Sequence, residues 1–162
     1  MILIALGSNQ PGPWGPPQAC VTRALAELDH NGMRLIRASR LLVSAPFGRH
    51  NQPPFVNAVA QIETHAPPPA LMLRLHAIER GAGRRRLIRW GPRTLDLDLL
   101  DYHGLVSAPH ARLILPHPGI ADRIFVLKPL SEIAPRWKHP VSRLAAAQLL
   151  RRLDPHGEGA EI

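Results

Sequence analysis

The residues best suited to chemistry are concentrated in Arg89-Trp90-Gly91-Pro92-Arg93-Thr94-Leu95-Asp96-Leu97-Asp98. If residues 95–99 form a strand, Asp96 and Asp98 project from one face and Leu95, Leu97 and Leu99 from the other. Carboxylates at alternate strand positions, roughly 7 Å apart, repel unless that face is fully wet or a cation lies between them. Mg²⁺ is the usual resolution, because it takes one or two protein carboxylates together with waters and phosphate oxygens. An Asp-x-Asp strand preceded by arginines therefore suits a metal-polyphosphate ligand, whereas the same pair standing alone is more often the wet face of an edge strand.

The preceding residues shift that balance. Residues 83–93 hold five arginines (Arg84, Arg85, Arg86, Arg89 and Arg93) and no acid. As a solvated loop the run would repel itself and expose Trp90; as a loop that grips phosphate both features make sense, since the guanidinium fork pairs bidentately with phosphate oxygens. Glu79 falls at the negative end of a predicted helix, where a carboxylate needs a partner. A neighbouring arginine and a ligand hydroxyl are the two candidates.

These residues must be held by a scaffold. A chain of 162 residues is expected to form one domain over 1–162, with a frayed tail from about residue 154. The apolar start, residues 1–6, lacks a basic leader, and no stretch is long and apolar enough to span a bilayer, so a cytoplasmic protein with no membrane partner is expected. Cys20 alone cannot form a disulfide framework or a cysteine zinc site, and it is expected in the core. The net charge of +8 is almost entirely arginine, Lys128 and Lys138 being the only lysines. Such a balance fits a polyanionic ligand without choosing between ATP and nucleic acid.

Hydrophobic periodicity predicts a buried strand over 2–6, a helix from Gln18 carrying Val21, Leu25 and Leu28 on one face, a second strand over 33–44 and a third over 55–63. A second helix is predicted over 67–80 and a fourth strand over 95–102, followed by a short helix from about Arg123 and a last helix over 141–153. Trp14, in a proline-rich turn, reads as a loop anchor. Strand, helix, strand, strand, helix, strand is the order of a ferredoxin-like α+β unit (βαββαβ): an antiparallel sheet with helices on one face, here with extra C-terminal helices. The carboxylates would then face the open side. A basic ferredoxin-like RNA-binding module is the rival reading, but such modules expose aromatic rings on their central strands, where this chain offers aspartates.

The block 89–98 resembles the hallmark of 6-hydroxymethyl-7,8-dihydropterin pyrophosphokinases of folate biosynthesis. So, in order, do Leu3-Ile4-Ala5-Leu6-Gly7-Ser8-Asn9, Asn57, Leu115-Pro116-His117-Pro118 and Arg123-Ile124-Phe125. The likeness spans about residues 1–140. It implies an ATP-dependent transferase that moves pyrophosphate from ATP to the pterin hydroxymethyl oxygen and releases AMP. It further implies two Mg²⁺ ions on Asp96 and Asp98, with Arg84 and Arg93 gripping the transferred phosphates and Arg86, Arg89 and Trp90 closing over ATP. By the same likeness Glu79, His117 and Arg123 would contact the nucleotide, Ser44, Pro46, Phe47 and Asn57 the pterin edge, and Phe55 and Phe125 its ring. The expected partners are these two small molecules, with no nucleic acid, and the expected state is a monomer. Three features depart from the pattern: Phe55 stands where some members have tyrosine, the 86–89 stretch is about a residue shorter, and the proline-rich 11–17 segment is this chain's own.

Overall fold

A computed structural model describes residues 1–44, 53–84 and 93–157. Its elements are β1 (Ile2–Ser8), α1 (Pro17–Glu27), β2 (Met33–Ala38), β3 (Leu42–Ser44), β4 (Phe55–Thr64), α2 (Pro68–Gly81), β5 (Asp96–Tyr102), α3 (Ile124–Ile133) and α4 (Ala146–Leu153). The sheet order is β2-β4-β1-β5, with β3 also pairing β4, and every pairing is antiparallel. This is the predicted ferredoxin-like α+β arrangement.

Two details differ from the sequence reading. The single strand expected over 33–44 is two, because the chain leaves the ladder after Ala38 and rejoins it at Leu42. Ser39 bridges the break: its amide donates to Val59 O and its hydroxyl accepts the Val59 amide, both at 2.9 Å. The last helix begins at Ala146 rather than near Val141, where Leu144 and Ala145 still carry extended pairing with the segment before them.

The sheet has a core on each face. Ile2, Ile4, Leu6, Leu95, Leu97 and Leu99 pack with α1 and α2 residues such as Val21, Leu71 and Leu75. Leu3, Val59 and Leu100 join Leu127, Leu130 and Leu149 of α3 and α4. The C-terminal helices thus cover part of the face expected to be open, leaving a cleft beside them. Strand alternation between two apolar layers explains why β1 reads as an uninterrupted apolar run.

Two local devices aim the chain at the cleft. At the end of α2, Gly83 adopts a left-handed φ of +84°. Its amide bonds Arg80 O and the next amide, Arg84, bonds Glu79 O, a Schellman turn that brings Arg84 back over Glu79. In β5, Leu100 is a bulge: Leu3 pairs Asp101 while Ile4 pairs Leu99. The bulge carbonyl accepts the amide of His117 at 2.8 Å, which docks the 115–119 loop beside Asp98.

Candidate active site

A cavity of about 260 Å³ opens where β1, β4 and β5 meet the start of α3. Its floor is set by register: Gly7 pairs Asn57 on one side and Asp96 on the other, and Ala5 pairs Asp98. A Cβ at Gly7 would lie 3.1 Å from Asn57 Oδ1 and 3.6 Å from Phe55 Cδ1, so the bare glycine lets the Asn57 and Phe55 side chains lie close over β1.

One wall is carboxylate. Asp96 and Asp98 both line the cavity, while Leu97 and Leu99 are buried in the α1/α2 core, as alternation predicts. Asp96 is claimed at both oxygens, Oδ1 by Arg84 Nη1 at 2.5 Å and Oδ2 by Arg93 Nη1 at 2.6 Å. Burial opposes ionisation of Asp96, but the two guanidiniums outweigh it and hold its carboxyl below the ordinary range. Arg84 also pairs with the buried carboxylate of Glu79, which accepts the Leu97 amide at 3.0 Å. Of the two partners anticipated for Glu79, the structure supplies the arginine.

Asp98 has a different environment. Burial and the neighbouring negative Asp96 push its carboxyl up to about 7, with Arg123 pulling the other way. His117 Nε2 stands 3.9 Å from Asp98 Oδ2. His117 Nδ1 accepts the Gly119 amide at 3.0 Å, so in the neutral ring the proton is on Nε2, toward the cavity. Burial, with Arg123 nearby, lowers the His117 pKa and favours that neutral form. Arg123 lies directly on Gly119, where a Cβ would come within 2.7 Å of the guanidinium, and 5.9 Å from the Phe125 ring centroid.

The opposite wall is uncharged. Asn57 Nδ2 donates to Ser44 Oγ at 2.5 Å, and β3 holds Ser44 there by pairing with Phe55. Phe55 and Phe125 border the same cavity. Among the residues singled out from sequence, Ser44, Phe55, Asn57, Arg93, Asp96, Asp98, His117, Arg123 and Phe125 line it, and Glu79 and Arg84 stand behind Asp96. Pro46, Phe47, Arg86, Arg89 and Trp90 lie outside the described residues. Sequence reasoning missed Ala5 and Gly7 as floor. Their signal was small residues at alternate positions of an otherwise bulky strand.

The family model for 7,8-dihydro-6-hydroxymethylpterin-pyrophosphokinase (HPPK) matches residues 3–135. The chain belongs to this family. It is 41% identical over 153 residues to a 2-amino-4-hydroxy-6-hydroxymethyldihydropteridine pyrophosphokinase of Synechocystis, covering 94% of this chain and 75% of that one. An enzyme of the same name from Pseudomonas aeruginosa is 43% identical over 143 residues, covering 88% and 85%. Among solved structures, an HPPK-DHPS in complex with substrates superposes with a TM-score of 0.71 at 13% identity, covering 97% of this chain and 44% of that one. A Plasmodium falciparum HPPK-DHPS gives 0.72 at 12% identity, covering 93% and 42%. At that identity the likeness shows the fold, and this chain spans less than half of those longer proteins. This chain is therefore an enzyme of the pyrophosphokinase class, and the RNA-binding alternative is not favoured. Among the described residues no helix is long and apolar enough to cross a membrane.

Among the described residues no cluster of three or more His, Cys, Asp or Glu side chains could hold a metal ion. Two carboxylates on one strand face are nevertheless what Mg²⁺ takes when phosphate oxygens and water complete its shell. Burial first, and then the negative Asp96 beside it, oppose ionisation of Asp98, and a cation between the two carboxylates would offset the second of these. The residues fit Mg²⁺ that arrives with a polyphosphate.

Proposed function

We propose that this chain, as a single monomeric cytoplasmic domain, transfers the pyrophosphoryl group of ATP to the hydroxymethyl oxygen of 6-hydroxymethyl-7,8-dihydropterin, producing AMP. One observation carries the reading: Asn57, Gly7 and Asp96 share one row of the sheet, so an amide wall and a carboxylate wall stand on either side of a floor that has no side chain at Gly7.

Each wall suits one substrate. Asn57 spends one N–H on Ser44 and keeps its carbonyl and second N–H, a donor and acceptor together, for the edge of a lactam ring. Phe55 and Phe125 offer apolar faces for a flat ring, and stacking of this kind contributes on the order of 0.5–1.5 kcal/mol beyond area. On the other side, Arg84 and Arg93 are in place to exchange their carboxylate partner for phosphate oxygens, with Arg86, Arg89 and Trp90 completing the grip. His117, through its Nε2 proton, and Arg123 border the cavity where the nucleotide's phosphates would lie, and Glu79 acts by holding Arg84 and Leu97. Asp96 and Asp98 would hold the Mg²⁺ ions, which when bound neutralise phosphate charge and polarise the transferred group. Because phosphoryl transfer asks little covalent chemistry of a protein, positioning and charge carry most of the rate.

Incubation with ATP, Mg²⁺ and the hydroxymethyl pterin tests this reading. The expected nucleotide product is AMP with pterin diphosphate, in equal amounts. Formation of ADP, or of no product, would refute it.

A further inference from the structure

Arg84 and Arg93 stand at the two ends of one chain segment, and both ends rest on the connection between β1 and α1, residues 9–16. At the Arg93 end, Asn9 is fully buried; its Oδ1 accepts the Arg93 amide at 2.8 Å and its own amide donates to Arg93 O at 3.0 Å. The same side chain donates from Nδ2 to Pro53 O at 3.2 Å, at the foot of β4. Thr94, next in the chain, is gripped from two sides. Cys20 of α1 donates its thiol to Thr94 O at 2.9 Å, and a Cβ at Gly12 would fall 3.0 Å from Thr94 Cγ2 and 2.9 Å from Ala82 O.

At the Arg84 end the same loop packs on the end of α2. A Cβ at Gly81 would lie 3.1 Å from Trp14 Cζ2, and one at Gly83 would lie 2.7 Å from Pro13 Cδ. The Trp14 ring is held from its other neighbour by Arg23, whose Cζ is 4.9 Å from the ring centroid. Trp14 was legible in the sequence as a loop anchor, and what it anchors is the turn that presents Arg84.

We infer that Asn9 and the Gly12-Pro13-Trp14 turn are positioning residues. They form a rigid base that holds Arg84 and Arg93 at one carboxylate, and so set the spacing at which both guanidiniums meet the triphosphate. The inference rests on the assignment of Arg84 and Arg93 to the phosphates. A loop that merely filled surface would affect stability without touching transfer, whereas misplacing a reacting group by about 1 Å can cost roughly a hundredfold in rate.

The test uses the full chain with Trp14→Ala, Trp14→Phe and Gly12→Ala. Amide hydrogen exchange is read at Arg84 and Arg93 without substrates, and kcat and pterin Kd are read with them. Trp14→Ala should speed exchange at Arg84 about tenfold or more while β1 and β4 amides keep their protection. It should also lower kcat by roughly ten- to a hundredfold with pterin Kd within about twofold, and Trp14→Phe should restore most of the loss. Gly12→Ala, which presses on both Ala82 and Thr94, should speed exchange at both arginines and serves if Trp14→Ala does not fold. Unchanged exchange at both arginines, or a kcat equal to the parent's in a folded variant, overturns the inference. Absence of AMP from the parent would defeat the functional reading instead, and the exchange measurements would still decide the positioning.

Discussion

The carboxylate wall and the amide wall of the cleft lie one strand apart, yet they are held by different physics. On β5 charge is held by charge: Asp96 between Arg84 and Arg93, and Glu79 on Arg84 and the Leu97 amide. On β3 and β4, Ser44 and Asn57 are held by strand pairing and a neutral hydrogen bond, with Phe55 beside them. The neutral wall is shaped before any ligand arrives, because no group in it needs a counter-charge. The charged wall is satisfied internally, so an incoming polyphosphate must trade places with Asp96 as the partner of the arginines. Repulsion between the two aspartates is thus relieved by arginine at Asp96, while burial and that same repulsion push the Asp98 carboxyl up to about 7.

Removing either aspartate should break the contrast most severely. Asp96→Ala or Asp98→Ala is expected to leave a folded protein whose AMP production falls by about three orders of magnitude or more, since charge clamping of a transferring phosphate is worth several kcal/mol. Steady-state turnover, with circular dichroism to establish folding, checks this. Full activity in either variant would remove the metal assignment.

Glu79 tests the structural half of the charged wall. Its side chain is 3% exposed and that of Arg84 8%, so Glu79→Ala strands a buried guanidinium with Asp96 as its remaining acid partner. Breaking a buried pair on one side costs about 3–5 kcal/mol, and the second carboxylate should keep the loss near the lower end. Urea unfolding reads it directly. A loss below about 1 kcal/mol would mean that Glu79 does not hold Arg84.

The neutral wall should respond more narrowly. Asn57→Ala is expected to weaken pterin binding by roughly ten- to a hundredfold, the scale of lost hydrogen bonds in a buried site, while nucleotide affinity stays within about twofold. Ser44→Ala should do the same to a smaller degree, because it removes the group that orients the Asn57 amide. Equal losses for both ligands would erase the division between the walls. Titration calorimetry with each ligand separately distinguishes the outcomes.

The parts legible in the sequence were those written by local periodicity. The 95–99 alternation placed Asp96 and Asp98 on one face because the other face is core, and a one-residue slip would bury both charges. What escaped was nonlocal. Nothing near Gly7 announces that Asn57 and Asp96 flank it, since that follows from β1 lying between β4 and β5. The break at Ser39 hid because its side chain replaces the missing ladder bond. The covering of the second sheet face by α3 and α4 is likewise a packing outcome, locked by the bond from Trp137 Nε1 to the buried Asp101 at 2.7 Å. Arg84 was legible as a cation near phosphate, but its seat between Glu79 and Asp96 needed the Schellman turn in three dimensions.

The smallest effect concerns the proton on Asp98. A carboxyl raised to about 7 binds its proton more tightly folded than unfolded, so its stabilising contribution is complete below the ordinary carboxylate range near 4 and is lost as pH climbs to about 7. His117 runs the other way: a lowered imidazole pKa means that stability is lost as pH falls below about 6.5. The two nearly facing groups therefore oppose each other below about pH 6.5, where their intervals overlap, and the parent's own pH profile mixes the two. Asp98→Asn separates them, because it imitates the protonated carboxyl while leaving the ring in place. Urea unfolding of parent and variant should agree near pH 4, diverge in favour of the variant up to about pH 7, and run parallel above it. Mg²⁺ with a non-hydrolysable ATP analogue should reverse the order at pH 8, stabilising the parent more than the variant, because ligand bound to the native state adds stability in proportion to its affinity. A difference curve flat from pH 4 to 8 would show that Asp98 ionises as an ordinary surface carboxylate, unmoved by burial or by Asp96.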